Sequence, residues 1–249
     1  MRALDLIGIG AGDPRHLTLQ AVEALGRLDL VVLIDKRAET AELTRMREAI
    51  LDRFASPRLK RLHLDDPPRR REGDYAANVE AWHTARAELL EDALRRHLQD
   101  GQRAALLAWG EPTLFDSALR LIKTIEARAG MQLEVEVIPG ISSIQTLAAR
   151  HRIPLNRINE PVHITTGRKL AEGFPPGLDA VLVMLDGDCT FLQVAEPGME
   201  IFWGAYLGTE DEILIEGLVE EVGERIVELR SAARARKGWV MDTYLLRRR

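Results

Sequence analysis

Short apolar runs alternate with longer amphipathic stretches through the first half of the chain. Residues 4–9 form an apolar run that ends in glycines and predicts a strand. Thr18 can cap a helix reaching to about residue 28, with Leu19, Val22 and Leu25 recurring on one face. Residues 30–34 are apolar throughout, as a parallel strand covered on both faces should be. A helical pattern follows over 38–55, and 61–64 predicts a third strand. The polar loop 65–74 carries two prolines and ends at Asp74, which predicts the cap of a long helix over 75–99, closed by Gly101. Strands are predicted again over 104–109 and 133–138, with a helix between them from about Ser117 to residue 129, stopping at Gly130. Pro139 and Gly140 then break the chain, and Ser142 or Ser143 opens another helix.

After His151 the texture changes. Strand patterns over 162–165, 180–185, 200–206 and near 239–245 are separated by Gly/Pro turns and helices. Alternating strands and helices predict an α/β fold with mostly parallel sheet. The shift in texture predicts two α/β domains, 1–140 and 141–249.

Composition narrows the function. Of 249 residues, 46% are hydrophobic, enough for a sizeable core, and the net charge is −5. That charge argues against a nucleic-acid partner, whose binding rests on many cationic contacts to phosphate. Basic residues do cluster at 58–71 and at the tail, Arg247, Arg248 and Arg249. Each cluster reads either as a solvated segment or as a local anion-binding rim. Cys189 is the single cysteine, so no internal disulfide forms, and no Cys/His cluster has metal-ligand spacing. The apolar start is broken by Asp5 and glycines, so it reads as a strand and loop instead of a leader. No run approaches the ~20 apolar residues of a membrane span. A soluble, cytoplasmic protein with no membrane partner is expected.

Three motifs could carry chemistry, each at a strand–helix junction. GIGAGD, residues 8–13, has glycines that let backbone N–H groups approach a ligand. It departs from the dinucleotide pattern, because Pro14, Arg15 and His16 delay the helix to Thr18 and only Asp35 stands near a ribose-binding position. A nicotinamide-dependent oxidoreductase is the reading this motif would carry alone; a plain structural turn is another. WGEPTLFDS, residues 109–117, also lies at a strand's C-terminal end, where open α/β sheets bind ligands. PGISS, residues 139–143, places two serines at a helix start, suited to an anionic group or to simple capping.

Taken in order, with HITTGR at 163–168 and VLVMLDG at 181–187, these motifs resemble the tetrapyrrole methylase family over nearly the whole chain. The resemblance implies two α/β domains forming a trough, with S-adenosylmethionine (SAM) folded between them and S-adenosylhomocysteine (SAH) as product. It implies cofactor contacts from Gly10, Ala11, Gly12 and Asp13, then from Trp109, Gly110, Glu111 and Leu114, then from Ser142 and Ser143. Met184 and a later loop at Ala205, Tyr206 and Leu207 complete the implied set. Glu111 stands where the family usually has Asp, one methylene shorter. A homodimer is implied as well.

The insertion with Gly73–Asp74–Tyr75, the Trp82–His83 pair, Arg86 and the TTGR turn resemble one branch of that family. That branch methylates a ring carbon of precorrin-5 and releases acetate to give precorrin-6A. Methyl transfer to an electron-rich ring carbon needs mainly alignment. Acetate release needs water to add to a ketone, so a base would help. Tyr75, His83 and Asp74 are the candidates for that chemistry, although Asp74 also reads as an N-cap and His83 as a packing residue. Arg15, Arg86, Arg168 and the arginines at 69–71 are candidates to hold substrate carboxylates. A family member acting on another precorrin, and a non-catalytic tetrapyrrole carrier, are the further alternatives.

Overall fold

The computed structural model describes residues 1–35, 41–68, 72–128 and 131–249. The expected start of the second helix at 38, the arginines at 69–71 and the Gly130 stop lie outside the described residues. The chain divides into two compact units. The first holds Met1–Gly10 and Pro14–Ile141; the second holds Ala11–Asp13 and Ser142–Arg249.

In the first unit five parallel strands are ordered β3-β2-β4-β1-β5. They are β1 (Arg2–Gly8), β2 (Leu30–Asp35), β3 (Lys60–Asp65), β4 (Arg103–Ala108) and β5 (Leu133–Ile138). The connecting helices are α1 (Leu19–Gly26), α2 (Ala41–Phe54), α3 (Tyr75–His97) and α4 (Ala118–Ala127). Period-2 alternation assigns the faces. Leu4, Leu6, Leu30, Val32 and Leu106 pack with α3 and α4 residues such as Leu90, Leu94, Leu121 and Ile125. Ile7, Val31, Leu33, Ala105 and Leu107 pack with Ala21, Ala24, Leu25, Ile50 and Leu51 of α1 and α2. The buried stripe of α1 therefore runs through Ala21, Ala24 and Leu25, and Leu19 is 83% exposed, contrary to the expected face. Thr18 does cap α1, its hydroxyl accepting from the Ala21 N–H at 3.0 Å.

Asp5 is the exception on β1. It is fully buried at the lower part of β1 and pairs with Arg103, with Arg27 3.6 Å away. Burial pushes its carboxyl up, against the pull of Arg103 and Arg27.

The second unit holds α5 (Ser143–His151), β6 (His163–Thr166), α6 (Gly167–Leu170), β7 (Ala180–Met184) and α7 (Phe191–Val194), then β8 (Glu200–Ala205), β9 (Ile213–Leu218), α8 (Val219–Lys237) and β10 (Asp242–Arg247). Its sheet is ordered β6-β7-β10-β8-β9. Only β6 and β7 run parallel; the other neighbours are antiparallel, so this sheet departs from the mostly parallel pairing that the first sheet follows. Strand β9 was not expected, because its side chains are half-buried and Gly217 interrupts its apolar pattern. The tail is a further correction. Arg247 lies on β10 and donates to the Pro154 and Leu155 carbonyls; Arg248 holds Glu196 and the Leu178 carbonyl; Arg249 faces Glu200. These cations staple the sheet and do not form an anion-binding rim.

Three backbones crowd together at the upper edge of the first sheet. A Cβ on Gly140 would lie 2.9 Å from the Cα of Gly8 and closer still to the Gly110 carbonyl. One on Gly8 would lie 2.6 Å from the Gly140 nitrogen. Gly8→Ala or Gly140→Ala should therefore force backbone displacement costing about 1–3 kcal/mol. Differential scanning calorimetry should show this as a lower midpoint, by roughly 2–4 °C per kcal/mol. Gly26→Ala, with nothing within 4 Å of the added carbon, should hold or raise the midpoint.

Candidate functional site

The three motifs share one place because β4, β1 and β5 are adjacent and parallel. Their following loops leave the same C-terminal edge, where open sheets bind ligands. The Ile9 N–H donates to the Ala108 carbonyl and the Gly110 N–H to the Gly10 carbonyl, each at 2.9 Å, tying the first two loops together.

Glu111 ties the second to the third. One carboxylate oxygen accepts the Gly140 N–H at 2.8 Å; the other accepts the Thr113 N–H at 2.9 Å and its hydroxyl at 2.6 Å. Burial alone would push this carboxyl up. The three hydrogen bonds outweigh it and hold the carboxyl below its usual range. The extra methylene thus serves reach: both oxygens of Glu111 are spent on the protein. Trp109 packs beside the α1–α2 core with the Arg47 guanidinium 5.4 Å from its ring centre. Leu114 is half-buried, its N–H donating to the Glu111 carbonyl at 3.1 Å.

The serine pair divides its work. Ser142 is the N-cap of α5, its hydroxyl accepting the Ile144 N–H at 3.1 Å. Ser143 shares a hydrogen bond of 3.0 Å with the Thr243 hydroxyl. Residues Ala11, Gly12 and Asp13 belong to the second unit. There a Cβ on Gly12 would lie 2.7 Å from the Leu207 carbonyl and from a Thr209 methyl. In the loop at 205–207 the side chains face inward: Ala205, Tyr206 and Leu207 are all buried, and the Tyr206 hydroxyl donates to the Trp239 carbonyl at 2.6 Å. That loop can present only main chain. Met184 ends β7 half-buried.

The insertion builds a second cluster in the first unit. Arg86 is buried, 2.9 Å from Asp66, with its N–H not aimed squarely at the oxygen. It donates to the Ser117 hydroxyl at 3.2 Å and lies 4.6 Å from the Trp82 ring centre. Ser117 consequently makes no side-chain cap to α4, though it occupies the N-cap position. The guanidinium of Arg86, a candidate carboxylate clamp, braces the insertion against the turn after β4. Trp82 donates to the Pro67 carbonyl at 3.0 Å and stacks obliquely on His83, centroids 4.9 Å apart. His83 is held below the ordinary histidine value of 6.5 by burial first, then by Arg120 and Arg86. Its Nδ1 is buried without a hydrogen-bond partner among the described residues. Asp74 sits at the start of α3, its carboxylate 3.4 Å from the Ala77 N–H. The side chain of Tyr75 lies outside the described residues. Arg15 is exposed on the short 3₁₀ turn Pro14–His16, and Arg168 is exposed on α6. Asp66 and Arg120 were not picked out in the sequence, and Ser117 only as a helix start within its motif, since nothing local marks them as neighbours of Arg86 or His83.

The family model of the tetrapyrrole (corrin/porphyrin) methylases matches residues 3–223. Precorrin-6A synthase [deacetylating] from Sinorhizobium sp is 46% identical over 250 residues, covering 100% of this chain and 96% of that protein. Precorrin-2 C(20)-methyltransferase from Sinorhizobium sp is 28% identical over 165 residues, 65% of this chain and 62% of that one. The crystal structure of a cobalamin synthesis related protein (CobF) from Corynebacterium diphtheriae superposes with a TM-score of 0.88 at 39% identity, covering 99% and 98% of the two chains. Uroporphyrin-III C-methyltransferase from Thermus thermophilus, complexed with S-adenosylhomocysteine, shares the fold with a TM-score of 0.61 at 20% identity, covering 98% and 91%.

Glu111→Gln places an amide against donors that now meet a carboxylate, and should cost about 1–3 kcal/mol at neutral pH. Because the folded carboxyl titrates below its ordinary 4.5, its stabilisation is full above that value and is lost as pH falls through the folded one. Urea denaturation of both proteins across this range should show the difference shrinking with acid.

Proposed function

The chain belongs to the tetrapyrrole (corrin/porphyrin) methylases, and from that membership we propose that it is a SAM-dependent C-methyltransferase of cobalamin biosynthesis, converting precorrin-5 to precorrin-6A with release of acetate. The observation that carries this reading is the full-length match, at 46% identity, to a precorrin-6A synthase [deacetylating]. The site supports it. Three glycine-bearing loops leave one sheet edge, and the side chains of Glu111, Ser142 and Ser143 already have internal partners. What these loops offer a cofactor is therefore main-chain N–H and C=O groups, which suits a ligand recognised closely along its length. Gly10–Asp13, Trp109–Glu111, Leu114, the first turn of α5, Met184 and the main chain of 205–207 would hold SAM.

SAM supplies an electrophilic methyl group. The protein's task in that step is alignment, which can remove several kcal/mol of barrier without an ionisable residue. Acetate release is the step that needs one. A base takes a proton from water as the oxygen adds to the acetyl carbonyl. The bond from that carbon to the ring then breaks, its electron pair enters the conjugated macrocycle, and acetate leaves. His83 is the base in this proposal: burial, Arg120 and Arg86 keep it neutral and able to accept a proton. Tyr75 and Asp74 are its companions on the insertion. Arg15 and Arg168 are the proposed partners of substrate carboxylates. The protein is proposed to act in the cytoplasm as a homodimer, and sedimentation showing a monomer at micromolar concentration would count against the latter.

Incubation with precorrin-5 and methyl-labelled SAM should yield labelled ring and acetate in equal amounts; labelled ring without acetate would assign the chain to another precorrin step. His83→Ala should leave methylation in place and slow acetate release by about 10²–10⁴-fold. A neutral His83 stays a base as pH falls, so the acid limb of acetate release should lie below pH 6.5. If acetate and methyl stay matched in His83→Ala, the base lies elsewhere.

A further inference from the structure

The turn that follows β7 is built around a carboxylate that the methyl-transfer chemistry does not use. Asp186 is 5% exposed. One of its oxygens accepts the Asp188 N–H at 3.0 Å and the Thr190 hydroxyl at 2.9 Å; the other accepts the Thr190 N–H at 2.7 Å and the Tyr244 hydroxyl at 2.6 Å. The same turn is gripped from α8. Arg230 donates to the Asp186 carbonyl at 2.8 Å and the Gly187 carbonyl at 3.1 Å, while its Nε holds Asp242 at 2.9 Å. Asp242 also accepts the Trp203 indole N–H at 3.1 Å. The carboxylate of Asp186 is thus stabilised by neutral donors, and the nearby guanidinium is spent on carbonyls and on a second acid. A buried charge held in this way is costly unless every acceptor is filled.

Two further features show what the arrangement fixes. Leu185 and Cys189, on either side of Asp186, have φ of 55° and 53°. Residues other than glycine keep that conformation only when their surroundings over-determine it. Leu185 nevertheless leaves its side chain 67% exposed, next to Met184. Just past the same end of the neighbouring parallel strand β6, Gly167 lies so close to Asp186 that a Cβ would be 2.6 Å from the carboxylate carbon. Gly167 begins the turn that carries Arg168.

We propose that Asp186 is a positioning residue for cofactor binding: through Thr190, Tyr244 and Gly167 it locks the Met184–Leu185 turn and the Gly167–Arg168 turn into one arrangement. The proposal rests on the reading of Met184 as a SAM contact. Asp186 itself touches no reacting group. It sets the backbone of the strained turn, and the turn sets where Met184 and Leu185 stand. Replacing any one donor lets the left-handed residues relax, and the adjoining turn loses the surface against which Gly167 rests.

The test compares Asp186→Asn, Tyr244→Phe, Thr190→Val and Thr190→Ser with Met184→Ala, measuring thermal midpoint, SAH affinity by calorimetry, and KM for SAM separately from kcat. A positioning role predicts that Tyr244→Phe and Thr190→Val weaken SAH binding and raise the KM for SAM by about ten-fold, with Thr190→Ser near wild type. A merely structural network would lower the midpoint and the active fraction while folded protein bound SAH within about two-fold of wild type; that result overturns the proposal. If Asp186→Asn fails to fold, the single-donor variants still decide. If Met184→Ala alone weakens SAH binding, the reading of Met184 stands and the role of Asp186 falls. If Tyr244→Phe and Thr190→Val weaken it and Met184→Ala does not, the Met184 reading falls and Asp186 acts through the Gly167 turn. If none of them moves it, both fall.

Discussion

The site depends on how closely three main chains can approach at the end of one sheet. Gly8 and Gly140 stand where any side chain would collide with a neighbouring backbone, and the Gly110 carbonyl is the nearest atom that a carbon added to Gly140 would meet. Parallel neighbours in the order β4-β1-β5 bring their C-terminal ends together, and the absence of Cβ atoms lets the loops that follow pack directly on one another. Glu111 then fixes the spacing by holding the Gly140 N–H and both Thr113 donors. A ligand at this edge meets a surface of main chain with few adjustable parts. Such a surface is preorganised for a ligand of one shape, which is what an alignment-driven reaction requires.

Much of the first unit was legible along the chain. Strands β2 and β4 read as apolar runs, such as Val31–Val32–Leu33, and each motif sits where a strand pattern meets a helix signal. The order of those strands was not legible, because β1 lies between β4 and β5 through contacts distant in sequence. In the second unit the signal weakens. Strand β9 alternates poorly, and nothing local announces that β8 and β10 pair antiparallel. Capping was half legible: two adjacent serines read alike, and only the geometry assigns the cap to Ser142 and the Thr243 contact to Ser143.

The partners of charged side chains were least legible. The sequence is arginine-rich in places that suit an anionic substrate, yet Arg86, Arg230 and Arg247 are buried and committed to acids or carbonyls within the fold. A guanidinium satisfies several carbonyls at once, so it is well suited to closing turns that lack a regular ladder. Arg230 does this for the turn at 186–187, and Arg247 for the segment at 154–155. Arginine count is therefore a poor guide to substrate charge in this chain; exposure separates Arg15 and Arg168 from Arg86, Arg230 and Arg247.

Residues 11–13 lie early in the chain but belong with its second unit, where Gly12 rests against Leu207 and Thr209. The two units are consequently not separable by a single cut. A chimera that joined the first 141 residues of this chain to the second half of a relative would import a foreign wall for Gly12, however well each half were chosen. Positions 12, 207 and 209 then form one inherited unit: a bulkier residue arriving at 209 is tolerated only if the loop at 12 shifts with it. Recombination within the family should succeed most often where those three positions travel together.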